Sequence, residues 1–282
     1  MPRIPREFHF IFGLRPQDAP FHLAHWLCLE SCRRVNRPAA IHFHCRHRPF
    51  GPWWERIAPH LLVHAVGAAP RGFAPARYAA SAEGRLIAAA GYDYAHEADF
   101  LRLDILHRHG GVYADMDTLF ARPHPSHWYA RECVIGEEGA APDHVGVMRP
   151  SLCNALVLAA PGSRFVARWR DEARASFDGT WSHHSCAAAA RVWARDPTAV
   201  DVLPPQAFYR HAASRAGIDA LFCAHDVDTA GVYSLHLWAH LWWAKARRDF
   251  TTFHAGRLTP SWVRTADATY AVLARRFLPA DA

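Results

Sequence analysis

Apolar residues first gather in a short block at Glu7–Phe12, which Gly13 and Pro16 close. They then recur at helical spacing from Phe21 to Val35, with Leu23, Trp26 and Leu27 among the repeating positions and Arg33–Arg34 in the last turn, where positive charge suits a helix C-terminus. Ala40–Cys45 alternates with period two, Trp53–Pro59 predicts a short helix or turn, and Leu61–Val66 predicts a strand. Strand, helix, strand, helix, strand is the order of an α/β sheet with helical crossovers. Gly67–Tyr78, broken by Pro70, Gly72 and Pro75, predicts a loop, and Glu83–Ala90 a helix. A clearer helix is expected over Glu97–His109, with Leu101 and Ile105 four apart toward the core and Gly110–Gly111 as C-terminal breakers. Val112–Leu119 then predicts a strand. Further strands are expected near Val134, at Asn154–Ala159, near Val202 and at Val232–His236. Helices are expected at Arg164–Ala175, Ser185–Ala194 and Trp262–Phe277.

Composition narrows this picture. The chain has 282 residues, of which 51% are hydrophobic and 21% charged, so it is globular rather than disordered. No long Ser/Gly linker and no internal repeat divides it, which predicts one domain over residues 1–282. The net charge of +6 favours anionic partners: nucleic acid, a nucleotide diphosphate or an anionic membrane surface. Lys245 is the only lysine, and the basic residues are spread out, paired at most as Arg33–Arg34, Arg247–Arg248 and Arg275–Arg276. That spread reads as solvated surface and gives no basic run for nucleic acid. Seven cysteines without a CxxC pair argue against a zinc cage and for free, mostly buried thiols in a reducing cytoplasm. Met1–Arg6 has no apolar core of a signal peptide, and no run of about 18 apolar residues suggests a transmembrane helix.

The chemistry concentrates in Ala98–Phe120. Asp99 and Arg102 stand three apart on the helix and share a face. After the glycine pair, strand alternation sends Val112, Ala114 and Met116 one way, and Tyr113, Asp115 and Asp117 the other. Two carboxylates on one face repel each other, and a hard divalent cation such as manganese or magnesium relieves that repulsion. On straight strand geometry their Cα atoms would stand roughly 6–7 Å apart. Asp117 is therefore expected to ligate the metal, with Asp115 acting through water or on the hydroxyls of a ribose. Such a cation neutralises the charge that develops on a diphosphate leaving group.

The stretch Ala98-Asp99, Arg102, Leu106, Gly110-Gly111, Tyr113, Asp115 and Asp117 resembles the sugar-binding region of the DXD-containing glycosyltransferases. That group includes capsular-polysaccharide and Golgi mannosyl- and galactosyltransferases and, more distantly, the glucosylating toxins. Ile4-Pro5-Arg6 followed by His9-Phe10-Ile11-Phe12-Gly13 is similar to the family's opening strand, which implies that Ile11 and Phe12 contact the nucleotide base. Asn154-Ala155 with Pro161-Gly162 resembles the strand beside the donor sugar, and Gln206–Tyr209 a Phe-Tyr segment. Tyr233–Trp238 resembles an A-x-H-x-W element, which implies His236 as a metal or diphosphate ligand and Trp238 or Trp242 against the phosphates.

The resemblance implies a GT-A type fold, a central mixed sheet flanked by helices. Residues 1–120 would mainly bind the nucleotide, and 121–282 would mainly close over donor and acceptor. It implies a UDP-sugar donor, or else a GDP-sugar, and retention of anomeric configuration by front-side attack of the acceptor hydroxyl with the leaving phosphate as base. Asp99 and Arg102 would hold sugar hydroxyls; Asp115, Asp117, His236 and a manganese or magnesium ion would hold the diphosphate. The acceptor would be a glycan, a lipid-linked molecule, a protein or a small molecule, met through Ser176–Val202 and the loop after Pro125, where the similarity is weak. A metal-dependent nucleotide-sugar phosphohydrolase is the rival enzyme, but it would need a water-activating base. A non-catalytic sugar or nucleotide binder is the other alternative. Trp238, Trp242 and Trp243, followed by Lys245, Arg247 and Arg248, suggest peripheral contact with the inner face of a membrane.

Overall fold

A computed structural model describes residues 3–67, 93–142, 147–179, 182–239 and 258–282. The helix expected at Glu83–Ala90, nearly all of the loop before it, and Trp242 to Arg248 lie outside these residues. The first strands and helices follow the sequence closely: β1 (Glu7–Ile11), α1 (Leu23–Asn36), β2 (Ala40–Cys45), α2 (Pro52–Ile57) and β3 (Leu62–Ala65). Then come α3 (Asp93–His109), β4 (Gly111–Ala114), β5 (Thr118–Phe120), β6 (Cys133–Pro142), β7 (Met148–Ala159), α4 (Arg164–Ala175) and α5 (Cys186–Arg195). The chain ends with β8 (Asp201–Leu203), α6 (Arg215–Phe222), β9 (Ser234–His236), α7 (Pro260–Thr265) and α8 (Thr269–Arg275). All seven cysteines are unpaired thiols; six are buried and Cys223 is exposed. Among the described residues no helix is long and apolar enough to cross a membrane.

Seven strands form a mixed sheet in the order β3-β2-β1-β4-β7-β6-β8, with β1 parallel to both β2 and β4, and β7 antiparallel to β4. The sheet is the expected α/β core with helices on both faces. Phe8, Phe10, Phe43, Val112 and Ala114 enter the same apolar cluster as Leu27 and Leu29 of α1. Ile11, Tyr113, Val157 and Ile135 face the other way, into a cluster with Leu103 and Leu106 of α3, Trp169 of α4 and Ala188 of α5. Chain order turns back at β1: the crossover through α1 leads outward to β2, while α3 delivers β4 to the other side of β1. Their carboxyl ends form the crevice at which open α/β sheets bind ligands.

Two expectations are corrected. Val112–Leu119 is not one strand: β4 stops at Ala114, residues 115–117 turn, and Thr118 N donates to Asp115 O at 3.2 Å. The C-terminal helix is two helices, because Ala266 is extended at ψ 137° and Thr269 is tied to the end of α6. Thr269 N and Oγ1 both donate to Ala224 O, and Oγ1 also reaches Ala220 O. The turn from α3 into β4 requires both glycines, with φ of 69° at Gly110 and 95° at Gly111. A Cβ at Gly111 would stand 2.6 Å from the backbone carbonyl oxygen of Glu7, which cannot withdraw without disturbing β1, and 3.0 Å from Nε2 of the His9 side chain. Gly111→Ala is expected to lose about 3 kcal/mol of stability, read from the urea midpoint.

Candidate functional site

The residues at the carboxyl end of β4 are fixed mostly by backbone hydrogen bonds. Asp115 N donates to Ala155 O of β7 at 2.8 Å, and Asp115 O accepts the Cys28 thiol of α1 at 3.5 Å. His25, also on α1, bonds Met116 O through Nδ1 at 3.1 Å. Met116 joins the apolar cluster of α1, so the inward alternation of Val112, Ala114 and Met116 persists although the strand has ended. On the other side, β5 and β9 pair as a two-stranded antiparallel ribbon in which Thr118 stands opposite His236. Leu237 N donates to Asp117 O at 2.9 Å and Ala239 N to Asp117 Oδ2 at 2.9 Å. This ribbon brings a histidine from the C-terminal part of the chain beside the acidic turn.

Asp115, Asp117 and His236 converge: one ligand atom from each lies within 4.8 Å of the other two. His236 Nε2 is 3.1 Å from Asp117 Oδ1 and 3.7 Å from Asp115 Oδ2. Both carboxylates therefore reach one imidazole from a turn rather than from a continuous strand. Burial alone would lower the pKa of His236, but Asp117 and Asp115 together outweigh it and raise it to about 10. Both ring nitrogens of His236 are buried without a well-formed hydrogen bond. Two carboxylates and an imidazole with unsatisfied nitrogens suit a divalent cation, and these three residues would hold it.

Behind this trio lies a second set of groups on α3, β4, β7 and the segment before α5. Arg102, 5% exposed, pairs with Asp99 Oδ1 at 2.9 Å and with Asp115 Oδ1 at 3.3 Å. It also donates to Asn154 O at 2.8 Å and lies over the Tyr113 ring, 4.6 Å from its centroid. Burial opposes its charge, but Asp115 and Asp99 keep it protonated. Tyr113 has its hydroxyl pKa raised well above normal, first by burial, and donates to Asp115 Oδ1 at 2.6 Å. Asn154 Nδ2 donates to Asp99 Oδ1 at 2.7 Å, and His184 Nε2 meets Asp99 Oδ2 at 3.0 Å. Burial would raise the Asp99 pKa, yet Arg102, His184 and His96 together lower it, so Asp99 is a fixed carboxylate. Arg102 and Leu106 are buried and Asp99 is half-buried, while Ile105 lies in the core as expected, with Leu101 packed partly against it.

Other residues singled out in the sequence sit around this centre. Phe12 follows β1 at the crevice, partly exposed, with its ring 4.7 Å from His25 and 5.2 Å from Phe21. Ile11 is buried on the α3 side. Trp238 is 3% exposed, takes a left-handed φ of 51°, donates Nε1 to His211 O at 2.7 Å and packs edge-on to His236 with centroids 4.3 Å apart. Its ring backs His236. Tyr209, from the Phe-Tyr segment, closes on the same pair, 6.0 Å from His236 and 5.8 Å from Trp238. Two functional candidates escaped the sequence reading. His96 lies three residues before Asp99 on α3, a spacing that puts it on the same face and could have found it. His184, which is fully buried, carries no local signal, because it reaches Asp99 from the segment before α5, where the similarity to the family is weak.

Comparison with known proteins bears on the same stretch of sequence. The family described as "Glycosyltransferase sugar-binding region containing DXD motif" matches residues 80–135, which include Asp99, Arg102, Tyr113, Asp115 and Asp117. Residues 80–135 thus match the DXD glycosyltransferase region in sequence. Glucan organizing enzyme 1 of Cryptococcus neoformans var. grubii is 27% identical over 285 residues, spanning 98% of this chain and 71% of that protein. Among solved structures, PaToxG Glycosyltransferase aligns at a TM-score of 0.45 and 13% identity, over 69% of this chain and 70% of its own. The glycosyltransferase GlyE of Streptococcus pneumoniae TIGR4 aligns at 0.46 and 11% identity, over 97% of this chain and 63% of its own, so this chain spans less than two thirds of that structure. Asn154, His236 and Trp238 lie beyond the matched region and join it only in space.

Proposed function

We propose that this chain is a metal-dependent, GT-A type hexosyltransferase that moves a sugar from a nucleoside diphosphate donor, a UDP-sugar in the favoured reading, to an acceptor hydroxyl with retention. The observation that carries the proposal is the convergence of Asp115, Asp117 and His236 at the carboxyl end of β4, beside the crevice between β1 and β4. Manganese or magnesium bound by these three would neutralise charge on the diphosphate as the glycosidic bond breaks. The chain's own groups then divide the remaining work. Phe12, partly exposed at the end of β1, offers an aromatic ring to a base, while Ile11 is buried on the opposite, α3 face. Asp99 is ionised and immobilised by three donors, which suits it to accept hydrogen bonds from sugar hydroxyls. Arg102 has its guanidinium engaged by Asp99, Asp115 and Asn154 O, so it acts first by fixing the two carboxylates. Tyr113 holds the Asp115 carboxylate in place and Asn154 holds Asp99. Trp238 and Tyr209 back His236. Retention by front-side attack, with the leaving phosphate taking the acceptor proton, follows from the family resemblance, as does an acceptor that is a glycan, a lipid-linked molecule or a small molecule.

The test is calorimetric titration of the chain with UDP- and GDP-sugars, in manganese and in chelator. Saturable, manganese-dependent binding of one donor is expected. Absence of binding to every nucleotide sugar with manganese present would sink the proposal. Release of free sugar from a bound donor at an equal rate with and without acceptors would identify a hydrolase instead.

A further inference from the structure

Away from the acidic turn, a ladder of histidines crosses three neighbouring strands. His9 of β1 stands opposite His42 of β2, and His44 of β2 opposite His64 of β3. The His9 and His42 rings stack at 4.7 Å, and the His42 and His64 rings at 5.1 Å. This is the face of β1 that carries Ile11 toward α3, where strand alternation would otherwise place apolar side chains.

We infer that Glu7, His9 and His42 form a second metal site, suited to a zinc-type cation. One ligand atom from each of the three lies within 4.8 Å of the other two. His42 Nε2 is 3.2 Å from Glu7 Oε2, while its Nδ1 is 2.8 Å from His64 Nε2. His9 Nδ1 is 3.2 Å from His44 Nε2, and its own Nε2 is buried without a well-formed hydrogen bond, in a residue 2% exposed. Each imidazole is thus held through Nδ1 by a further histidine, with Nε2 of His42 on Glu7 and Nε2 of His9 turned toward the Gly110–Gly111 turn. That is how metal-binding imidazoles are oriented in proteins: one nitrogen on the ion, the other on a supporting hydrogen bond. Two imidazoles and a carboxylate would supply three of the four ligands that zinc usually takes. The ligand set also separates this site from the acidic turn, since imidazole-rich sites favour zinc, nickel or copper, whereas carboxylate oxygens suit magnesium or manganese.

The test uses the full chain and zinc alone, with no nucleotide sugar, so it is independent of transferase activity. After dialysis against excess manganese, one zinc per chain is expected to remain on the wild type and on Asp117→Asn. His42→Asn and Glu7→Gln are expected to lose it, and His64→Asn to bind about 10- to 100-fold more weakly. Glu7 has a side chain 40% exposed, so the isosteric Glu7→Gln keeps the test valid if His42→Asn does not fold. Cobalt added in place of zinc is expected to give visible absorption bands on the wild type that Glu7→Gln lacks. Zinc that disappears with Asp117→Asn but persists in Glu7→Gln, or folded wild type that retains none, would overturn the assignment.

Discussion

Asp117→Asn is expected to reduce sugar transfer by about 1,000-fold, because it removes one full charge from a site whose task is to balance developing negative charge. The substitution is chosen to spare the fold. Asp117 Oδ2 accepts from Ala239 N, and an asparagine amide oxygen can take the same bond. Asp117 O keeps its bond from Leu237 N in either case. What changes is the pairing with His236, where a carboxylate 3.1 Å away becomes a neutral amide. Far-UV circular dichroism should therefore overlay the wild type, while kcat/KM at saturating manganese collapses and calorimetry loses the manganese-dependent component of donor binding. A variant that keeps activity within about tenfold, a difference of only about 1.4 kcal/mol, would remove Asp117 from the metal-binding set.

Arg102→Met should have the largest effect on stability. Arg102 pairs with two carboxylates and a carbonyl in a place where its side chain is 7% exposed and the carboxylates of Asp99 and Asp115 are 14% and 27% exposed. Methionine fills much of the same volume but takes the guanidinium from both anions, leaving Asp99 to Asn154 and His184 and Asp115 to Tyr113 and His236. Breaking one side of a buried pair costs about 3–5 kcal/mol, since the stranded charge must be desolvated without compensation. The cost should appear as a lowered urea midpoint, together with loss of activity. Arg102→Lys should recover only part of it, because an ammonium is a single point of charge and cannot span Asp99, Asp115 and Asn154 O as a planar guanidinium does. Full recovery by lysine would mean that the network needs only a positive charge.

Much of this architecture was legible along the chain. β2 alternates as Ile41, His42, Phe43 and His44, with the phenylalanine and isoleucine buried and the histidines on the opposite face. α4 runs from Arg164 to Ala175 as its spacing predicts, capped by Ser163 accepting from Val166 N. Asp99, Arg102, Tyr113, Asp115 and Asp117 could be singled out because they are local to one helix–turn–strand unit. What escaped was set by distant partners. The strand expected through Leu119 ends at Ala114: Asp115 N still bonds Ala155 O in register with β7, but the Asp115 and Met116 carbonyls turn to Cys28 and His25 on α1 and leave the ladder. The C-terminal helix divides where Thr269 is held by α6, a helix absent from the sequence reading because Arg215–Phe222 spans only 8 residues. His184 reaches Asp99 across 85 positions, and no local period reports such a contact.

The ribbon of β5 and β9 also bears on the order in which the chain acquires its parts. Asp117 is gripped by Ala239 from 122 positions away, and the Met116 carbonyl by His25 from 91. Closing loops of that length costs entropy before any contact returns it, so such pairings tend to form after local helices and hairpins. The acidic turn therefore reaches its final shape only once both ends of the chain have docked. During synthesis, an emerging chain would carry the motif well before it could use it, and donor capture would be confined to molecules that have finished folding.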